Sequence, residues 1–227
     1  MTNVIVYNRP WCRNLPVMLE KRTGIQFVAI DYKKDLTPEN LRGISPDYVF
    51  FPHWSSIIPK KIFQEFHCVI FHMTDLPYGR GGSPLQNLIV RGHKETVVCA
   101  IQCVEEVDAG PIYLKKPLSL EGSAEEIFIR VSEVIEEMIV EMLKKNPKPI
   151  PQKGEVVKFQ RRKPEDGDWS KVESLDGVFD HIRMLDAEGY PPAFIRIGKY
   201  KLEFSEAFRK VETIHASVKI ILDETDE

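Results

Sequence analysis

Cysteine is scarce in this chain. Only Cys12, Cys68, Cys99 and Cys103 occur among 227 residues, and no two of them stand in the paired C-x-x-C spacing of a zinc site. No cluster of metal-ligand residues takes their place, so a resident metal is not expected. The apolar pattern around Cys99 and Cys103 reads as strand, which makes them buried thiols. Long apolar runs are missing too. None approaches the roughly 18 residues that span a bilayer, and Val4-Ile5-Val6-Tyr7 is too short for the core of a secretory signal. The expectation is a cytoplasmic protein with no membrane partner. Charge of one sign is also lacking. Lys+Arg number 31 and Asp+Glu 34, for a net charge of −3 and a pI near 6.1. That leaves no basic field to hold nucleic acid, although local cations can still take one phosphorylated ligand. What remains, 43% hydrophobic and 29% charged, is an ordinary globular composition, long enough for a main domain and a small one.

Short apolar runs at residues 4–7, 26–30, 48–51 and 68–71 alternate with helix signals. Residues 15–22 read as a helix closed by Gly24. Thr37 caps a second helix with Pro38 at its first position, and a third covers 60–66. A fourth spans 84–90, with Gln86 and Asn87 on its surface. Strands follow at 96–104 and 112–118. Ser123 and Glu126 form a capping box, and Ile127, Val131, Ile135, Met138, Ile139 and Met142 then recur at helical spacing. Residues 146–153, rich in Pro and Lys, read as a linker. Beyond them come a strand at 156–159, a helix at 176–185, and strands from 191 that turn at Gly198-Lys199 into 201–204. A last strand lies within 211–222, and the acidic tail 223–227 is expected to fray. The fold class predicted is α/β: a Rossmann-like, mostly parallel sheet with helices on both faces over 1–150, and a small C-terminal β-rich α+β module over 151–227.

In such sheets ligands sit outside the carboxyl ends of the strands. That rule selects the loops holding Asn8 and Arg9, residues 53–56, residues 72–83, and Asp108. His72 ends an apolar run directly before a Pro/Gly-rich loop, and Asp108 follows 36 residues later. An imidazole can take a proton at neutral pH and a carboxylate can hold and charge-stabilise it, so the two make a candidate general-base pair. Alone, each also reads as a strand-end or turn residue. Arg80 suits a phosphate or carboxylate, or is a solvated loop charge. Asn8 and Arg9 can touch a nucleotide or simply cap a turn. Gly81 and Gly82 allow close backbone approach.

Taken together, His72, Leu76, Pro77, Arg80, Gly81 and Pro84 resemble the histidine loop of the folate-dependent formyltransferases, and Asp108-Ala109-Gly110 is similar to that family's D-x-G turn. Residues 52–59, ending in Ile57-Ile58-Pro59, resemble its folate-contacting loop. Residues 161–169 resemble the start of its C-terminal region. The resemblance implies formyl transfer from 10-formyltetrahydrofolate to an amine, with His72 as base and Asp108 orienting its ring. It implies folate contacts at His53, Trp54, Ser55, Ile57, Val104 and Glu105, with Trp54 equally readable as core. It implies acceptor contacts at Asn8, Arg9, Arg80, Gly81 and Gly82. One expected residue is missing: Ile70 stands where the family has an asparagine that donates to the formyl oxygen. Loss of such a donor costs roughly 2.7–4 kcal/mol in the transition state. Thr74, His53 or an amide near Gly82 are the candidate replacements.

Family members that formylate tRNA are longer and end in a basic barrel, and glycinamide ribonucleotide enzymes lack a C-terminal module. The acceptor expected is therefore a nucleotide-linked amino sugar of the pseudaminic-acid or O-antigen type, with no nucleic acid partner and a homodimer formed through the C-terminal part. A folate- or nucleotide-binding homologue without catalysis, and a 10-formyltetrahydrofolate hydrolase, are the alternatives.

Overall fold

The computed structural model describes residues 1–223. The strands are β1 (Thr2–Val6), β2 (Gln26–Ile30), β3 (Tyr48–Phe51), β4 (Cys68–His72), β5 (Tyr78–Gly81), β6 (Glu95–Gln102), β7 (Ile112–Ser119), β8 (Val157–Phe159), β9 (Ala193–Ile197), β10 (Tyr200–Lys210) and β11 (Thr213–Leu222). The helices are α1 (Leu15–Thr23), α2 (Pro38–Ile44), α3 (Lys60–Glu65), α4 (Pro84–Ile89), α5 (Ala124–Lys145) and α6 (Leu175–Arg183). The local signals act as chemistry dictates. Gly24 closes α1 at φ 68°, and Thr37 Oγ1 accepts from the Asn40 amide at 3.2 Å. Both arms of the capping box form: the Ser123 amide donates to Glu126 at 2.8 Å, and the Glu126 amide donates to Ser123 at 3.3 Å. No helix among the described residues is long and apolar enough to cross a membrane.

Backbone contacts group the chain into two compact units. One comprises residues 1–81, 96–118 and 128–158; the other comprises 82–95, 119–127 and 159–227. The first unit is built on a six-stranded sheet of order β2-β1-β3-β4-β6-β7. β1 pairs parallel with both β2 and β3, and β3 pairs parallel with β4. β6 returns antiparallel to β4, so the sheet is mixed and mostly parallel. Because β1 has β2 on one side and β3 on the other, the winding reverses there, which opens a crevice outside their carboxyl ends. Val4, Val6, Val49, Phe51 and Ile62 are fully buried, as the continuous apolar strands of a covered sheet require. All four cysteines are free and buried. Burial pushes the thiols up, to about 12 at Cys12 and Cys103 and about 11 at Cys99, so they serve as packing groups.

The second unit carries an antiparallel sheet of order β11-β10-β9, with α6 packed on β10. Its buried Arg183 is paired, donating to Asp180 at 2.7 Å and to the Leu120 and Gly122 carbonyls at 2.7 and 2.9 Å. That pairing is the condition for keeping a charge out of water.

Three expectations need correction. Gln86 and Asn87 are 3% and 6% exposed, not surface residues. Gln86 Nε2 donates to the Met184 carbonyl, and Asn87 Nδ2 donates to the carbonyls of Gly82, Ser83 and Gln160. The loop after His72 contains the strand β5, which pairs with β8. Its four residues include two glycines and show no alternation, so only a distant partner makes it a strand. β10 runs on to Lys210 through a bulge between Ser205 and Phe208, with Glu206 at φ 53°. The bulge breaks the period-two pattern that would have marked its full length. Of the acidic tail, residues 224–227 lie outside the described residues. Asp223 is held by Arg196 at 2.7 Å.

Candidate active site

Alternation along β4 puts Cys68, Ile70 and His72 on one face of the sheet. His72 is the strand's last residue and is 6% exposed. Its Nε2 lies 2.8 Å from the Gly79 carbonyl oxygen. A carbonyl only accepts, so Nε2 carries the hydrogen. Nδ1 lies 3.5 Å from Asp108 Oδ2 and is the ring nitrogen left to take a proton. Asp108 Oδ2 in turn accepts from the Gly81 amide at 2.9 Å. The 78–81 segment thus faces the pair with one carbonyl and one amide. Gly79 at φ 79° and Gly81 at φ 109° supply the backbone angles that side-chain-bearing residues rarely adopt. Thr74 Oγ1 also donates to the Gly79 carbonyl, at 3.3 Å.

The Asp108 turn is fixed sterically at its far end. A Cβ on Gly110 would lie 1.7 Å from the Gln102 carbonyl oxygen, so no other residue fits there. Asp108 itself sits at φ 54°, the left-handed region that Asp tolerates better than most. Arg80 is no solvated loop charge. Its side chain is 11% exposed, Nε and Nη2 donate to Gln152 Oε1 at 3.0 and 2.8 Å, and Nη1 donates to Glu106 at 3.4 Å. Gln152 Nε2 donates to the carbonyls of Asp108 and Gly110 at 2.7 and 2.8 Å. Nothing in the Pro/Lys-rich sequence around Gln152 signals this role.

The other selected residues fall into separate places. Asn8 Nδ2 donates to Ser55 Oγ at 3.0 Å, which joins the carboxyl ends of β1 and β3 at the crevice. His53, at φ 48°, stands edge-on to Trp11 and Phe128 with centroids at 5.6 and 5.3 Å. Trp11 and Phe128 stack at 4.7 Å, and the Arg9 guanidinium lies 5.8 Å from the Trp11 centroid. Burial, and then the nearby Arg9 charge, push the His53 imidazole down to about 3, so it is neutral. Trp54 packs against the core beside Phe51. Ile57 is 80% exposed, Glu105 pairs with Lys60 at 2.7 Å, and Val104 is half-buried just beyond β6. The Gly82 amide donates to the Phe159 carbonyl at 3.2 Å, and a Cβ there would meet the Arg161 backbone. Ile70 is half-buried and packs against apolar side chains, with Phe51 and Ile101 as its strand partners.

Comparison with known proteins gives the family. Residues 19–143 match the Formyl transferase family, and residues 164–221 match the C-terminal domain of methionyl-tRNA formyltransferase. The chain belongs to the folate-dependent formyltransferase family. It is similar to a methionyl-tRNA formyltransferase of Thermodesulfovibrio yellowstonii, 31% identical over 159 residues that cover 66% of this chain and 52% of that protein. The chain therefore spans about half the length of that relative. A solved structure described as methionyl-tRNA formyltransferase from Clostridium thermocellum superposes with a TM-score of 0.95 at 49% identity, covering 98% of this chain and 99% of that one. A sugar N-formyltransferase from a Shewanella species shares the fold, with a TM-score of 0.68 at 14% identity over 93% of this chain and 99% of that one.

Proposed function

We propose that this chain transfers a formyl group from 10-formyltetrahydrofolate to the amine of a nucleotide-linked amino sugar, of the kind used in pseudaminic-acid or O-antigen synthesis. The observation that carries the reading is the 3.5 Å approach of His72 Nδ1 and Asp108 Oδ2 at the end of β4. Bound folate supplies an activated formyl carbon. The residues fit such a polar heterocycle, because Trp11 Nε1, His53 Nε2 and Trp54 Nε1 are buried ring nitrogens without a partner among the described residues. Unpaired buried polar atoms of this kind call for a ligand or water. The chain's own task is to remove a proton from the attacking amine. Nε2 is committed to Gly79, so Nδ1 accepts that proton, and the Asp108 carboxylate stabilises the resulting imidazolium.

The amino-sugar acceptor rests on charge. Residues 156–222 hold twelve Lys or Arg against eleven Asp or Glu. Four of those cations are paired within the unit: Arg183 with Asp180, Arg196 with Asp223, Lys201 with Glu203, and Arg209 with Asp176. Such a surface gives tRNA phosphates little to hold. We further propose a homodimer, formed through the apolar face of β9–β11.

Ile70 favours a second reading. It offers no donor, the Thr74 hydroxyl is engaged with Gly79, and the Gly82 amide is engaged with Phe159. A folate-binding homologue without transfer would carry this arrangement. One assay separates the cases: the protein is mixed with 10-formyltetrahydrofolate and, in parallel, amino-sugar nucleotides, initiator methionyl-tRNA or buffer. Tetrahydrofolate release with an amino-sugar nucleotide alone is the expected result. Release only with the tRNA overturns the acceptor. Formate in buffer alone identifies a hydrolase, and folate binding without release identifies the inactive homologue.

A further inference from the structure

We propose that Gln152 is a positioning residue that holds the Asp108 carboxylate in register with His72. Its side-chain amide has a hydrogen-bonding capacity of two donors and a two-lone-pair acceptor, and all of it is used. Both hydrogens go to backbone carbonyls of the D-x-G turn, Asp108 O at 2.7 Å and Gly110 O at 2.8 Å. The oxygen takes two hydrogens from Arg80, from Nε at 3.0 Å and Nη2 at 2.8 Å. A flipped amide would set its NH2 against a guanidinium and its oxygen against two carbonyls, so the orientation is fixed by chemistry. The two elements it joins are those that meet at the site. Arg80 lies between Gly79, which binds His72 Nε2, and Gly81, which binds Asp108 Oδ2. Asp108 lies in a left-handed conformation at φ 54°, which its own sequence does little to secure. One glutamine therefore ties the turn carrying the carboxylate to the strand carrying its backbone donor. All of these residues belong to the first unit.

The kinetic part of the test rests on the formyl-transfer reading; the spectroscopic part does not. Gln152→Glu keeps the length and the acceptor for Arg80 but cannot donate to the two carbonyls. Gln152→Ala removes both halves. Unchanged melting curves for Gln152→Glu establish that the fold survives even where the alanine variant is unstable. In protein labelled with ¹⁵N at histidine, both variants are expected to move the His72 ring nitrogen signals in the direction that Asp108→Asn moves them. With transfer measurable, kcat falls about tenfold to a hundredfold while KM for both substrates changes less than about twofold, as for a misplaced catalytic group. Gln152→Ala then adds nothing in an Asp108→Asn background. The proposal is overturned by His72 signals that stay in place in folded Gln152→Glu, or by losses that multiply in the double variant. If no acceptor is formylated, the proposed function fails, and the ring signals still decide the role of Gln152.

Discussion

Asp108 is the residue at which a single atom tests the chemistry. In Asp108→Asn the amide oxygen can keep the Gly81 hydrogen bond now made by Oδ2. That oxygen then also holds the position 3.5 Å from His72 Nδ1, so the substitution keeps the geometry and removes the charge that stabilises the imidazolium. The expected outcome is a loss of about a hundredfold to ten-thousandfold in kcat, the range of general-base contributions, with little change in melting temperature. Steady-state transfer assays check this, and a loss under about threefold would place the base elsewhere. His72 and Asp108 were legible in the sequence because each is an isolated titratable group beside a loop at a strand end. Gln152 was not, since a neutral amide among prolines and lysines has no pattern until its three partner residues are in place. Arg80 was legible as a loop cation, but its burial depends on Gln152 and Glu106, both distant in the chain.

At the scale of elements, the loops that follow β1 and β3 enclose a titratable group that takes no part in the proposed proton transfer. His53 folds neutral, pushed to about 3 by burial and by Arg9, whereas an exposed imidazole titrates near 6.5. Between those values the unfolded chain binds more protons than the folded one. The stabilisation is therefore complete above about pH 6.5 and is lost progressively as pH falls toward 3. His53→Asn removes the titration and keeps a residue that tolerates φ 48°. Urea unfolding at pH 7 and pH 5 should show a smaller fall in midpoint for His53→Asn than for the unsubstituted chain. Equal falls would mean that water reaches the imidazole. The strands of the first sheet, α2 and the start of α5 were readable because caps and apolar runs are local. β5 and the full length of β10 were not, because one exists only through its pairing with β8 and the other crosses a bulge.

For the whole molecule the open question is what covers the sheet β11-β10-β9. The register places Tyr200 opposite Leu222 and Ile197, Leu202 opposite Ile220 and Ile195, and Phe204 opposite Val218 and Ala193. Cross-strand partners share a face, so this side of the sheet is apolar from Ala193 to Leu222, and Arg209, opposite Ile214, stands at its far end. Ile220 is 67% exposed, Ile197 58%, Leu222 51% and Val218 48%. An exposed apolar face of this kind, on a sheet whose strand β11 is an edge, is the basis of the proposed dimer. A second copy suits it, because the charge at its far end, Arg209, is already paired with Asp176 of the same chain. Ile220→Lys changes a side chain that contributes little to the fold of one copy, yet would bury an unpaired ammonium between two. Sedimentation should find a dimer for the unsubstituted chain and a monomer of unchanged melting temperature for Ile220→Lys. A monomer for both, at tens of micromolar, would overturn the dimer. His72, Asp108, Gly81 and Gln152 all belong to the other unit, so the monomeric variant should retain its chemistry. Loss of transfer together with loss of the dimer would instead mean that the partner copy completes the site.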